Sequence, residues 1–265
     1  MLPEQGSIVI IHPLSDLHNE LYRRAEPPVA IPDIPETDAD LIVLAGDIDT
    51  GDRGVQWAVE QSEKHDKPVL YVPGNHEYYR HDIQDNLAAM RQRAEGTRVQ
   101  VLDRDQTVIG GIRFLGCTLW TDYLAYDGES RDEPMALAAQ RMPDHQLITI
   151  EGVPFLPEHA LALHQAAIEW LDRRIAEPFD GPTVVISHHG PAGVCCHPVF
   201  SPGPLDGAFF SRLEDRIGLV DLWIHGHTHL SLDLPVGEGR LISNQSGYRG
   251  ETSGFDWNKT VNVPA

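Results

Sequence analysis

The stretch Leu41-Ile42-Val43-Leu44-Ala45-Gly46-Asp47 decides the fold of this chain of 265 residues. Its first four residues are uninterrupted aliphatic side chains, which is typical of a β-strand buried on both faces. A glycine and an acidic residue follow directly after this apolar run. The stretch therefore predicts a strand inside a helix-covered sheet, with a carboxylate just beyond its carboxyl end.

The same arrangement recurs four more times along the chain. In α/β sheets, ligands bind just beyond the carboxyl ends of the strands, so polar residues at five such ends predict one shared site. Mixed carboxylate and imidazole side chains are typical metal ligands. The further runs and motifs are Ile8-Val9-Ile10-Ile11 before Asp16-Leu17-His18, Val69-Leu70-Tyr71-Val72 before Gly74-Asn75-His76, Val184-Val185-Ile186 before His188-His189, and Leu222-Trp223-Ile224 before Gly226-His227-Thr228-His229.

The remaining sequence supports an α/β fold with a second sheet. Apolar residues at helical spacing predict helices over Val55 to Lys64, Ile83 to Ala94 and Glu158 to Ala176. Two hairpins are predicted, one around Gly110-Gly111 and one joining Leu230 to Leu234 with Arg240 to Ser243. Segments 121–157 and 190–207 are interpreted as loop insertions near the mouth of the site, where substrate choice would reside.

Length and composition limit the possible classes of protein. A chain of 265 residues with 41% hydrophobic residues could form one large domain or two small ones. The motifs run from Asp16 to His229 and must converge, which favours one domain over residues 1–265. No apolar run reaches the roughly 18 residues of a membrane span, and Met1 to Ser7 does not resemble a signal peptide, so a cytoplasmic protein without a membrane partner is expected. Three cysteines without a CxxC pair predict neither a disulfide framework nor a structural zinc site.

The motifs, in their order and spacing, resemble those of the calcineurin-like metallophosphoesterases: Asp-x-His, Gly-Asp, Gly-Asn-His-Glu, a later histidine after a strand, and Gly-His-x-His. Three stretches are further similar to an uncharacterised bacterial branch of that superfamily. The resemblance implies a four-layer αββα sandwich of two mixed β-sheets flanked by helices, with the metal site at the carboxyl ends of strands. The three stretches are Ser15-Asp16-Leu17-His18, Thr118-Leu119-Trp120-Thr121-Asp122 and Trp223-Ile224-His225-Gly226-His227-Thr228-His229.

The resemblance also implies a ligand for each motif position. Asp47 would bridge two ions. No cysteine takes part, and nitrogen and oxygen donors favour Mn, Fe, Zn or Co over a thiolate zinc site. The first ion would be held by Asp16, His18 and His229, and the second by Asn75, His188 and His227.

The implied activity is metal-dependent hydrolysis of a small phosphomonoester or phosphodiester, such as a nucleotide, by a phosphatase or a phosphodiesterase. A hydroxide that bridges the two ions would attack phosphorus. Asp47 and His76 are the expected catalytic residues, His76 as general acid or as a donor to the phosphoryl oxygen. The alternative is a non-catalytic metal-binding interaction scaffold on the same fold. The complete ligand set together with His76 favours the enzyme.

Charge restricts the substrate. A net charge of −20 disfavours long nucleic acids, since binding to them depends mainly on Lys and Arg. A small anionic phosphoester is still compatible, because two divalent ions against two ligand carboxylates leave about +2 locally and distant surface charge is screened beyond roughly 10 Å.

Two positions depart from relatives of the family. The Ser/Thr protein phosphatases carry an Asp three residues after the bridging Asp, where it orients the catalytic histidine, whereas this chain has Thr50. A protein phosphatase is therefore disfavoured. Related bacterial members often carry Asn-Pro-Arg-Gly-Tyr late in the chain, whereas this chain has Asn244-Gln245-Ser246-Gly247-Tyr248. A phosphate-binding role of that segment is consequently not predicted.

Overall fold

The computed structural model describes residues 8–128, 130–200 and 202–264. Its strands are β1 (Ile8–Leu14), β2 (Leu41–Leu44), β3 (Val69–Tyr71), β4 (Val99–Val101), β5 (Asp105–Ile109), β6 (Ile112–Cys117), β7 (Thr149–Ile150), β8 (Val153–Pro154), β9 (Thr183–Ser187), β10 (Leu222–His225), β11 (Leu232–Val236), β12 (Gly239–Ser243) and β13 (Val261–Pro264). Its helices are α1 (Asn19–Arg24), α2 (Arg53–His65), α3 (Ile83–Ala94), α4 (Asp132–Arg141), α5 (Asp144–Leu147), α6 (Pro157–Ala176) and α7 (Glu214–Ile217).

The long strands form two mixed sheets. The first has the order β13-β1-β2-β3-β4, in which only β13 is antiparallel to its neighbour. The second has the order β11-β12-β10-β9-β6-β5, with antiparallel strands at both edges and a parallel centre. Because parallel neighbours end at the same edge, the residues that follow β1, β2 and β3 meet each other, as do those that follow β9 and β10.

Four layers result from burial on both faces of each sheet. Between the sheets, Val43 and Leu70 of the first sheet pack in one apolar core with Phe114 and Ile224 of the second. Separate apolar cores cover the outer faces. The outer core of the first sheet includes Leu44, Tyr71, Val55 of α2 and Met90 of α3, and that of the second includes Trp223, Leu241 and Leu171 of α6. The αββα sandwich is therefore confirmed, and continuous aliphatic strands are its direct cause.

The predicted helices and hairpins are present with small shifts of their ends. Helix α3 has the predicted bounds and begins after Asp82, whose side chain accepts a hydrogen bond from the backbone N–H of Gln84 at 3.1 Å. Helices α2 and α6 begin two residues and one residue earlier than predicted. The two hairpins are β5–β6 and β11–β12.

Segment 121–157 is more regular than a loop. It contains α4, α5 and the small antiparallel pair β7–β8. Helix α4 places Met135 and Ala138 toward the apolar core under the first sheet, and Met142 follows at the same spacing. These elements are too short for their periodicity to stand out in the sequence. Among the described residues, no helix has both the length and the apolar character needed to cross a membrane.

Candidate metal centre

The polar residues at the strand ends gather into adjoining groups of possible ligands. Within each group one ligand atom per residue lies within 4.8 Å of the others. Asn75 adds its Oδ1, which lies 2.9 Å from His188 Nε2. Asp47 joins the groups, since it belongs to two of them. The groups are Asp16 with His18 and His229, Asp47 with His188 and His227, and His18 with Asp47 and His76.

The backbone at these strand ends adopts left-handed conformations. A positive φ is unusual for residues other than glycine and costs roughly 1–2 kcal/mol at each position. Backbone hydrogen bonds between neighbouring strand ends hold these turns: Asp16 N–H donates to Gly46 O and His18 N–H donates to Asp47 O, both at 3.0 Å. The turns direct the side chains toward one point. The residues with positive φ are Asp16 (54°), His18 (48°), Asp47 (55°), His227 (73°) and His229 (52°).

The glycines of the motifs allow the strand ends to approach closely. A Cβ at Gly46 would lie 2.4 Å from Nδ1 of His188, and one at Gly74 would lie 2.2 Å from Oδ1 of Asp47. At Gly226 it would lie 2.7 Å from Oδ2 of Asp16. Real Cβ atoms do not tolerate such distances, so glycine is required at these three positions for steric reasons.

Hydrogen bonds at Nδ1 orient three of the histidines. His18 donates to Glu20 Oε1 at 3.2 Å, His229 donates to Glu251 Oε2 at 2.6 Å, and His188 donates to the carbonyl oxygen of Ala45 at 2.9 Å. Carboxylates and carbonyls only accept, so Nδ1 carries the hydrogen in each ring. In the neutral form of each ring Nε2 then carries the lone pair, which is the arrangement usual for metal-bound histidine.

The spacing of the donor atoms fits metal ions. Nε2 of His18 lies 3.2 Å from Nε2 of His229, and Nε2 of His188 lies 3.1 Å from Nδ1 of His227. Two unprotonated ring nitrogens at this distance repel each other unless a proton or a metal ion lies between them. Two imidazole nitrogens about 2.1 Å from one ion, at a right angle, would be about 3.0 Å apart. The residues present therefore suit ions bound by nitrogen and oxygen.

Asp144 orients Asn75. Its Oδ1 accepts hydrogen bonds from Nδ2 of Asn75 and from the hydroxyl of Tyr79, both at 2.8 Å. The amide oxygen of Asn75 is thereby turned toward His188. Asp144 opens α5 in segment 121–157, 69 residues from Asn75. No local pattern connects the two, and sequence reasoning missed Asp144.

Glu77, the last residue of the Gly-Asn-His-Glu motif, clamps the ends of β2 and β3. It is completely buried. Its carboxylate accepts backbone N–H groups of Asp47 at 3.0 Å, Ile48 at 2.8 Å and Gly74 at 2.7 Å, and the hydroxyl of Tyr71 at 2.7 Å. The side chain thus fixes the turn that carries Asp47 and does not point at the proposed ligand atoms.

Electrostatics distinguishes Asp47 from the buried histidines His189 and His225. Burial opposes ionisation of Asp47, but the His188 and His76 rings outweigh it and hold the pKa of this carboxyl well below its usual range. Burial, together with the His188 ring, lowers the pKa of His189 to about 3, and burial lowers the pKa of His225 to about 4. His189 and His225 are therefore neutral, and their Nδ1 atoms bond Thr118 O and Gly226 O.

His76 lies beside the proposed bridging carboxylate. Its backbone N–H donates to Asp47 Oδ1 at 2.9 Å, and its Nε2 lies 3.8 Å from Asp47 Oδ2 and 3.2 Å from the hydroxyl of Tyr248. The ring of Tyr248 lies with its centroid 4.6 Å from those of His18 and His229. The segment 244–248 therefore forms a wall of the site although it lacks the Pro and Arg of related proteins.

A cavity of about 490 Å³ opens over this cluster. Its walls combine the polar cluster with Tyr79 and with apolar side chains from the residues that follow α4, from segment 190–207 and from Phe209. Among its described lining residues, Arg141 is the one lysine or arginine. No motif in the sequence singles out Arg141. The apolar lining residues are Met142, Pro143, Phe200, Pro204, Leu205 and Phe209.

The calcineurin-like phosphoesterase model matches residues 11–231, so the chain belongs to that family and is a metal-dependent phosphoesterase. An uncharacterised protein of Acanthamoeba polyphaga mimivirus is 23% identical in an alignment of 237 residues, and the match covers 81% of this chain and 81% of that protein. The crystal structure of phosphopantetheinyl hydrolase from Mycobacterium tuberculosis is similar in fold, with a TM-score of 0.68 at 18% identity, and the match covers 97% of this chain and 96% of that chain.

Proposed function

We propose that the chain hydrolyses a small phosphate ester at a dinuclear metal centre. The observation that carries this proposal is a pair of adjoining donor groups, Asp16 with His18 and His229 and Asp47 with His188 and His227, in each of which two ring nitrogens face each other at 3.1–3.2 Å. Asp16, His18 and His229 would hold one ion, Asn75, His188 and His227 would hold the other, and Asp47 would contact both.

The chain's own residues would manage orientation and protons in this reaction. When bound, the ions would act as Lewis acids and lower the pKa of the attacking water. Nε2 of His76 faces the cavity side of Asp47, where it could donate a proton to the leaving oxygen. The hydroxyl of Tyr248, 3.2 Å from that nitrogen, would hold the ring in place.

The cavity supports an ester whose organic part is apolar or aromatic. Phe200, Leu205 and Phe209 offer apolar surface next to the ligand cluster, and burying such surface contributes roughly 25 cal/mol per Å². Arg141 alone supplies permanent positive charge among the described lining residues. One phosphoryl group is therefore favoured over a polyphosphate chain, and the net charge of −20 opposes long nucleic acids.

We also propose that residues 1–265 act as one domain. The donor side chains follow strands of both sheets, from Asp16 after β1 to His229 after β10. A division between the sheets would separate His18 from His229 and Asp47 from His188, and neither proposed ion would keep its full set of ligands.

The first test is hydrolysis of p-nitrophenyl phosphate and bis-p-nitrophenyl phosphate by protein stripped of metal and reloaded with Mn, Zn, Fe or Co. Turnover should require metal, and the preferred ester distinguishes a phosphatase from a phosphodiesterase. Asp47→Asn should lower turnover by more than about 100-fold, since even outer partners of metal ligands contribute 10- to 100-fold. Asp66→Asn, the same chemical change at an exposed position, should have no effect. Two bound ions without turnover of either ester would overturn the catalytic proposal for these substrates and favour the interaction scaffold.

A further inference from the structure

A single buried carboxylate oxygen links two histidines of the site. Glu20 begins α1 two residues after His18 and is 3% exposed. Its Oε1 lies 3.2 Å from Nδ1 of His18 and 3.0 Å from Nδ1 of His76. The two ring centroids are 4.4 Å apart, with the rings at 63° to each other. One oxygen therefore accepts hydrogen bonds from both rings.

This contact determines which nitrogen of each ring carries a hydrogen. An ionised carboxylate only accepts, so Nδ1 is protonated in both His18 and His76. In the neutral His18 ring, Nε2 then carries the lone pair, on the side of His229, 3.2 Å away. Nε2 of His76 is directed to the other side, toward Asp47 and Tyr248. One oxygen thus orients a proposed metal ligand and the proposed proton donor.

No carboxylate of the Gly-Asp loop takes this position. Three residues after Asp47 the chain carries Thr50, and the neighbouring Asp49 pairs with Arg23. The remaining contacts of the His76 ring are the tilted ring of Tyr79, at 4.3 Å between centroids, and groups at Nε2. Among the described residues, Glu20 is the hydrogen-bond partner of Nδ1 of His76.

We propose that Glu20 is a positioning residue that fixes the orientation and tautomer of His18 and His76 together, so that metal binding and proton donation depend on one carboxylate. This inference rests on the proposed function, in which His76 donates a proton to the leaving oxygen. No chemical step is assigned to Glu20 itself, since its Oε1 contacts Nδ1 of the two imidazoles and not the Nε2 atoms assigned to metal binding and proton donation.

The first experiment does not depend on turnover. Long-range ¹H–¹⁵N spectra of the full-length protein loaded with diamagnetic Zn report which imidazole nitrogens carry hydrogens. Nδ1 of both His18 and His76 should be protonated, and Glu20→Ala should remove that preference in at least one ring. A wild-type protein in which Nδ1 of either ring lacks a hydrogen would overturn the inference.

The second experiment separates positioning from general loss of structure. p-Nitrophenolate leaves without help from an acid, whereas phenolate is a poorer leaving group and gains more from proton donation. At saturating metal, kcat of Glu20→Ala should therefore fall at least tenfold further for phenyl esters than for p-nitrophenyl esters, as should kcat of His76→Ala. Glu20→Gln keeps the side-chain size and an acceptor oxygen, so it should recover part of this difference.

Glu251→Ala is the matched control, because Glu251 accepts from Nδ1 of the proposed ligand His229 and from the backbone N–H of Tyr248, and makes no hydrogen bond to the His76 ring. It should weaken metal binding and leave the ratio of kcat for phenyl esters to kcat for p-nitrophenyl esters unchanged. If kcat of Glu20→Ala falls equally for both esters while kcat of His76→Ala falls further for phenyl esters, the role of Glu20 is refuted and that of His76 is not. Wild-type protein that turns over neither ester would instead refute the proposed function, and the spectra would still decide the role of Glu20.

Discussion

Replacing Gly46 by alanine should destabilise the fold and loosen His188. Gly46 has a φ of +87°, and a Cβ there would lie 2.4 Å from Nδ1 of His188 and 2.7 Å from the backbone nitrogen of Gly74. The imidazole cannot move away cheaply, because it is fully buried and bonds Ala45 O through that same nitrogen. Both obstacles are therefore rigid.

The magnitude follows from comparison with Gly96→Ala. Gly96 has a φ of +75°, but a Cβ there would meet nothing within 4 Å. Its replacement should cost only the left-handed backbone penalty, roughly 1 kcal/mol. Gly46→Ala carries the same penalty plus overpacking, which typically costs about 1–3 kcal/mol. The two variants should thus differ by about 1–3 kcal/mol, or roughly 5- to 150-fold in the folding equilibrium.

Urea unfolding of chelator-treated protein, followed by tryptophan fluorescence, measures this difference without a contribution from metal binding. Metal titration of the folded variants provides a second measurement, in which Gly46→Ala should bind the ion near His188 more weakly than Gly96→Ala. Equal free energies of unfolding for the two variants, or unchanged metal affinity of Gly46→Ala, would refute the steric reasoning.

Two further predictions concern residues outside the sequence motifs. Asp144→Ala frees the amide of Asn75 and should lower the affinity for one ion by about 10- to 100-fold in a metal titration, and an unchanged affinity would contradict this. Burial lowers the pKa of His164, whose Nδ1 donates to Leu119 O at 3.0 Å. Below about pH 6.5, His164 therefore takes up a proton in the unfolded chain while it stays neutral in the folded chain. The contribution of His164 to the free energy of unfolding should be fully present above that pH and should fall as the pH drops, by at most about 1.4 kcal/mol per pH unit. In urea unfolding of chelator-treated protein, His164→Asn should remove this part of the pH dependence. An equal pH dependence of the free energy of unfolding in the wild type and in His164→Asn would contradict the assignment of this effect to His164.

Much of the fold was predictable because its determinants are local. The aliphatic run Leu41–Leu44 is explained by burial of β2 between two layers, and the periodicity of Ile83–Ala94 by packing of one face of α3. The glycine before Asp47 is explained by contact with His188. Segment 121–157 was predicted less well, because its two helices and hairpin are short and are stabilised mainly by contacts with the rest of the molecule.

The candidate site divides in a similar way. Asp47 and His76 could be predicted as residues of the candidate metal centre, because each follows a strand and the carboxyl ends of parallel strands share one edge of the sheet. The groups that orient such side chains follow no comparable rule. Glu251 reaches His229 from 22 residues away, and Asp144 reaches Asn75 from 69 residues away. Glu20 is the exception, because it continues the alternate spacing of Asp16 and His18 and could have been noticed.

The sequence by itself determined the α/β class, the two sheets and the set of candidate ligands, because hydrophobic periodicity and the chemistry of side chains are properties of single segments. Only the tertiary structure decided the left-handed backbone at the ligand positions, the donors and acceptors behind each histidine, and the apolar cavity beside Arg141. Those features depend on distances between segments that are far apart in the chain. Such distances arise only when the two sheets pack against each other and the chain closes around the strand ends.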